Sequence, residues 1–299
     1  MFSRSLALAS VVISISSAAG QAASPDEKQQ PAPARLQFGG LDGKPLLAVV
    51  EVKGNFASSD SWGTGTGFLA NNCTVLTNIH VLEPGIIMSL RSYEDEGEKG
   101  KKPLYKGRPL DDKSFVGNEY PFRTQPLDSD KKRLYSKLRV LAHGNYSQGG
   151  GGSGRGAENA NDWAIGEDLE CLSVKAHLGS YRISSLPFDL LKGRDIHSAG
   201  FKTLPGTPMN GEILVVDPQC TITAAPRHDL WETTCFSAPK GSGSVAGVKG
   251  HYREVADILF AVGLFVGGGK EFSYMIPLVA IYSDSEAFRT AIDTERVPR

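Results

Sequence analysis

Residues Gly65 to Leu82 read GTGFLANNCTVLTNIHVL, two apolar runs separated by the polar pair Asn71-Asn72. Glycines at Gly63, Gly65 and Gly67 lead into the first run, so the chain is expected to turn tightly into a hairpin whose second strand ends at His80. An apolar run closing on a small polar step is how a buried strand delivers a side chain to an edge. On this reading Thr74 to Thr77 is the strand and the imidazole of His80 sits at its rim.

Two further stretches share that character. Asn161 to Glu167 (NDWAIGE) sends Asp162 into the apolar run Trp163-Ala164-Ile165. A carboxylate there is expected to be partly buried, where an unpaired charge is costly, so it needs a donor. A neutral imidazole N–H is such a donor; a strand-entry turn held by the aspartate side chain is the plain alternative. Cys235 to Gly247 (CFSAPKGSGSVAG) sets the hydroxyl of Ser242 between Gly241 and Gly243, so the backbone can turn sharply and its amides can converge on one point. Gly149 to Gly156 (GGGGSGRG) shows what a merely flexible Gly/Ser loop looks like in the same chain.

Outward from these stretches the chain reads as short apolar strands punctuated by Gly, Pro, Asn and Asp: Leu46 to Lys53, Thr66 to Ala70, Thr74 to Thr77, Leu138 to Ala142, Ile213 to Ile222, Ile258 to Val266 and Tyr274 to Leu278. That is an all-β pattern. Ser283 to Glu295 alone reads as a helix, with Phe288, Ala291 and Ile292 at helical spacing. With 299 residues, 40% of them hydrophobic, the chain can bury the core of one large domain or two closely packed ones. A formal net charge of −1 gives no nucleic-acid footprint. The charged run Glu94 to Lys102 reads as a solvated loop.

The stretches LTNIHV, DWAI, KGSGSV and GLFVGG (Gly263 to Gly268) resemble those of trypsin-like, chymotrypsin-fold serine proteases, closest to the bacterial V8-like glutamyl endopeptidase branch. Its pieces read GxxLTNxHV, DxAI, GNSGSPV and GIHxGG. The similarity runs from about Leu46 to the C-terminus and is weak between the motifs. It implies two six-stranded antiparallel β-barrels with the site in the cleft between them, and a secreted serine endopeptidase that needs no metal or cofactor. Position by position, it makes His80 the general base, Asp162 its orienting partner and Ser242 the nucleophile, with the amides of Lys240 and Ser242 as oxyanion donors. The chain order His, Asp, Ser agrees with that family and differs from the subtilisin and α/β-hydrolase orders.

Three positions depart from the pattern. Lys240 stands where the family has the glycine two residues before the nucleophile, a place that calls for a backbone a side chain tolerates poorly. Loss of one oxyanion donor costs on the order of 100-fold to 1,000-fold in rate. A catalytically inactive, protease-like secreted binding protein is therefore the alternative reading, and an esterase on the same barrels would differ only in its pocket. Val245 replaces a proline. Phe265 replaces the histidine of GIHxGG, which removes the main support for an acidic first-subsite preference and, with Phe236, Ser237 and Gly267, implies an apolar pocket.

Arg4 precedes the apolar stretch Leu6 to Ile15, and Gly20-Gln21-Ala22 offers a cleavage site, so residues 1–22 read as a signal peptide. The expected organisation continues with a poorly ordered segment over 23–45, a first barrel with a long insertion over 46–180, and a second barrel with the C-terminal helix over 181–299. Four cysteines in an exported chain favour two disulfides with three possible connectivities; Cys220 with Cys235 and Cys73 with Cys171 are preferred. The expected product is a secreted or periplasmic monomer acting on peptide or protein, with no nucleic-acid partner and no stable membrane insertion after signal cleavage.

Overall fold

A computed structural model describes residues 33–55, 65–71, 73–83, 115–127, 132–145, 160–204, 213–238, 240–252, 255–268 and 272–294. The signal-peptide reading, the charged run Glu94 to Lys102 and the loop Gly149 to Gly156 lie outside them.

Three two-residue strands open the chain: β1 (Gln37–Phe38), β2 (Gly40–Leu41) and β3 (Lys44–Pro45). Six strands then close into a barrel: β4 (Val49–Val52), β5 (Gly65–Ala70), β6 (Thr74–Thr77), β7 (Glu119–Thr124), β8 (Tyr135–His143) and β9 (Ala164–Asp168). They run antiparallel in the order β4-β5-β6-β9-β8-β7, with β7 returning to β4. Phe68, Leu76, Phe122, Leu138 and Ile165 fill its interior and are all essentially inaccessible. The β-branched and aromatic residues that alternate along these strands suit a pleated surface, and closure leaves no free edge.

After the parallel strand β10 (Arg182–Ile183), a second set closes in the order β12-β11-β14-β15-β16-β13, with β13 returning to β12. These are β11 (Asp195–Phe201), β12 (Leu214–Arg227), β13 (Leu230–Thr233), β14 (Val245–Tyr252), β15 (Val255–Gly268) and β16 (Ser273–Pro277). The chain is thus all-β with two closed six-stranded antiparallel barrels, as its turn-punctuated strand pattern predicts. At the N-terminus, β1 pairs antiparallel with β12, Gln37 opposite Val216, so the opening segment extends the sheet of the second barrel.

Both preferred disulfides are present, Cys73–Cys171 and Cys220–Cys235. The second spans 15 residues and ties β12 to the segment entering the Ser242 loop. A loop of that size is worth about 3 kcal/mol in the chain-entropy account.

Short helices fill the connections: α1 (Ile79–Leu82), α2 (Leu172–Lys175), α3 (Phe188–Leu191), α4 (Leu278–Asp284) and α5 (Glu286–Asp293). The expected C-terminal helix is α5, shorter than its sequence reading because Ser285 caps it: its Oγ accepts from the Phe288 amide at 3.1 Å. Phe288 stacks edge-on against Trp163 with centroids 5.4 Å apart, so the last helix braces the segment just after Asp162. No helix among the described residues is long and apolar enough to cross a membrane.

Candidate active site

His80 does not end a strand. β6 stops at Thr77, Asn78 is extended, and His80 is the second residue of α1. The helical turn buries Ile79, Val81 and Leu82 and leaves the imidazole at the surface of the barrel, its side chain 17% exposed. Asp162 is almost wholly buried just before β9. Its Oδ2 contacts His80 Nδ1 and its Oδ1 accepts the His80 backbone amide at 3.0 Å, so one carboxylate holds both the ring and its backbone. Asn78 Nδ2 donates to the Asp162 carbonyl at 2.5 Å, which fixes the aspartate's own backbone. The donor that a buried Asp162 requires is therefore the histidine.

Ser242 arrives from the second barrel. Its carbonyl accepts from the Thr66 amide of β5 at 2.9 Å. Gly243, at φ 82°, packs so closely that an added Cβ would lie 1.8 Å from the Thr66 carbonyl oxygen. Gly65 lies between the two partners: a Cβ there would meet Val81 Cγ2 at 2.5 Å and the Ser242 carbonyl at 3.1 Å. The residue following His80 and the backbone of Ser242 thus approach within the space of one missing methyl group. Among the described residues, neither Ser242 Oγ nor His80 Nε2 has a hydrogen-bonded partner.

The loop before Ser242 is tightly held. Gly241 N donates to the Ala238 carbonyl at 3.0 Å, and the Gly241 carbonyl takes both the amide and the hydroxyl of Ser244, at 3.0 and 2.5 Å. Lys240 has φ 65°, the left-handed conformation that its glycine-like place in the sequence calls for. The amides of Lys240 and Ser242 donate to no described residue.

A pocket of about 360 Å³ opens beside Ser242. Phe236, Ser237, Phe265 and Gly267 are among the residues that line it. Phe265 also packs in the core of the second barrel, so its pocket and core roles coexist.

The apolar pocket implied by Phe265 is incomplete, because Lys202 reaches it from the residue after β11. Lys202 is 3% exposed, and burial pulls its pKa down to about 8, opposed by the charge of Asp217. Its ammonium donates to Ser198 Oγ at 2.9 Å and to the Phe236 carbonyl at 2.6 Å, and lies 5.6 Å from the centre of the Phe236 ring. Arg35 and Asp217 are likewise absent from the sequence motifs. Arg35 forms a two-pronged pair with the fully buried Asp217, at 2.6 and 2.8 Å, and Asp217 Oδ2 also accepts the Phe236 amide at 2.8 Å. The one local signal is the lysine directly after the apolar run Ala199-Gly200-Phe201. Nothing local joins Arg35 to a residue 182 positions away.

No family model and no curated protein matches this chain. One solved structure, described as "Structure of GrC", is similar at 12% identity and a TM-score of 0.49, over 79% of this chain and 91% of that one. That likeness carries no functional argument. The two closed six-stranded barrels and two disulfides fit a chymotrypsin-like fold.

Proposed function

We propose that the chain is a serine endopeptidase working through His80, Asp162 and Ser242, exported to a compartment where its two disulfides persist. The reading rests on one observation: a buried carboxylate orients an imidazole whose other nitrogen is free, and Gly65 packs between the residue after that histidine and the backbone of a serine whose hydroxyl is also free. Asp162 holds the Nδ1–H tautomer, which leaves Nε2 as the base. Ser242 Oγ attacks the peptide carbonyl carbon while His80 Nε2 takes its proton. The oxyanion is received by the two uncommitted amides of Lys240 and Ser242. His80 returns the proton to the departing amine, and water, deprotonated by the same nitrogen, releases the acyl group and restores Ser242.

The alternative, a binding protein that does not cleave, draws on Lys240 standing in place of glycine. Its positive φ counts against that alternative, because the side chain has not forced the loop out of the left-handed geometry. Labelling of the mature protein with a fluorophosphonate, with Ser242→Ala and His80→Ala as controls, separates the two. Labelling lost in both variants supports the hydrolase; folded parent protein that does not label supports the binding protein.

A further inference from the structure

One wall of the pocket beside Ser242 lies outside the sheet. β13 ends at Thr233, and the residues that follow, through Phe236 and Ser237 to the turn at Ala238 and Gly241, lead directly to the serine. Backbone that leaves a ladder must find other partners. At Phe236 those partners are charged side chains. Its amide donates to Asp217 Oδ2 at 2.8 Å, and its carbonyl accepts from the Lys202 ammonium at 2.6 Å. Asp217 on β12 and Lys202 after β11 therefore grip one pocket-lining residue at both ends of its backbone.

Asp217 can hold that amide as a carboxylate because its charge is met from the start of the chain. It is fully buried, and among the described residues its ion-pair partner is Arg35, at 2.6 and 2.8 Å. The same guanidinium donates to the Thr234 carbonyl at 3.3 Å, and the next residue, Leu36, packs with Leu204, Val215 and Phe236. Neighbouring residues of the opening segment thus brace the wall, Arg35 through charge and Leu36 through apolar contact. A buried anion that loses its partner is costly and draws on any cation within reach. Lys202 is that cation: it already feels the Asp217 charge, and to pair with it the ammonium would have to leave the Phe236 carbonyl.

We propose that Arg35 and Asp217 are positioning residues for the active site: their ion pair holds the Phe236 backbone, keeps Lys202 on its carbonyl, and so sets the pocket wall and the Ser242 loop that follows it. The inference rests on the endopeptidase reading and adds to it two residues outside the sequence motifs. Neither is among the described residues that line the pocket, so both act through Phe236.

The test is the rate of fluorophosphonate labelling of the folded mature protein. Arg35→Ala is expected to lower the rate by about tenfold or more, since a small misplacement of reacting groups can cost as much as about 100-fold. Adding Asp217→Asn removes the stranded charge, leaves an oxygen for the Phe236 amide, and restores most of the rate. Millimolar guanidinium chloride, compared with equal sodium chloride, also speeds Arg35→Ala by refilling the guanidinium site, and leaves the parent unchanged. Guanidinium is a denaturant, so a loss due to instability alone would deepen. Recovery by either route upholds the proposal. A parental rate in Arg35→Ala, or a slow rate that neither route recovers, overturns it. If the parent protein does not label, the endopeptidase reading is what fails. The clamp is then judged by amide hydrogen exchange at Phe236, expected to be faster in Arg35→Ala and slow again in the double variant. Exchange unmoved by Arg35→Ala, or fast in both variants, overturns the clamp.

Discussion

The amide of Thr66 in the first barrel donates to the carbonyl of Ser242 in the second, at 2.9 Å. The bond joins the strand leading toward His80 to the loop that carries the serine. The approach is possible because Gly65 has no side chain. Gly65→Ala would drive a methyl group into Val81 Cγ2 at 2.5 Å, and overpacking of that kind costs about 1–3 kcal/mol. The variant is expected to melt several degrees lower and to lose fluorophosphonate labelling by more than tenfold, since the added methyl pushes α1 and the Ser242 loop apart. Labelling at the parental rate in a destabilised protein would show that this contact does not set the geometry.

Lys240 is expected to be a strained residue in a working place. Left-handed backbone costs a side chain roughly 1–2 kcal/mol, and glycine adopts it freely. Lys240→Gly should raise stability in urea by about 1 kcal/mol and keep or increase the labelling rate. Lys240→Val, β-branched and intolerant of φ 65°, should label far more slowly. A lower rate in Lys240→Gly would mean that the site depends on the lysine side chain itself and not on the left-handed backbone alone.

His197 predicts acid sensitivity away from the site. It is buried in the second barrel with Nε2 3.1 Å from the Tyr181 hydroxyl, and burial drops its pKa to about 4 from the ordinary 6.5. Below pH 6.5 the unfolded chain takes up a proton that the folded chain refuses. Stability is thus fully present above pH 6.5 and lost as pH falls toward 4, by on the order of 3 kcal/mol. Asp195 and Lys249 line the same pocket, so the readout is a difference between proteins. Guanidinium unfolding at pH 7 and pH 4.5 should show a smaller loss for His197→Gln than for the parent; equal losses would place the acid sensitivity elsewhere.

The sequence is most legible where a functional group and its setting are neighbours in the chain. Thr74 to Thr77 is a strand in sequence and structure alike, and LTNIHV, DWAI and KGSGSV each carry their side chain within a few residues of the structure that places it. His80 departs from its strand-end reading because the chain turns helical after Asn78, where the apolar run alone suggests a continuing strand. β11 and β14 escape a pattern-based reading: DIHSAGF and VAGVKGHY are rich in glycine and polar residues, and His197 faces inward without an apolar period to announce it. The charge arrangement of the pocket has no local signature. Arg35 falls in a segment whose composition reads as a poorly ordered leader, and its bond to Asp217 exists only once β1 has paired with β12.

The buried lysine beside the pocket gives the last prediction, an alkaline gain in stability. The Lys202 ammonium is disfavoured by burial and favoured by Asp217 on β12; burial dominates and lowers its pKa to about 8 from the ordinary 10.5. Between those two values the unfolded chain keeps a proton that the folded chain has released, so this group's contribution to stability rises with pH across that window. Urea unfolding at pH 7 and pH 9.5 should therefore show a more favourable change in the parent than in Lys202→Met, which lacks the group. Equal changes in the two proteins would mean that Lys202 keeps its charge in the folded state up to pH 9.5.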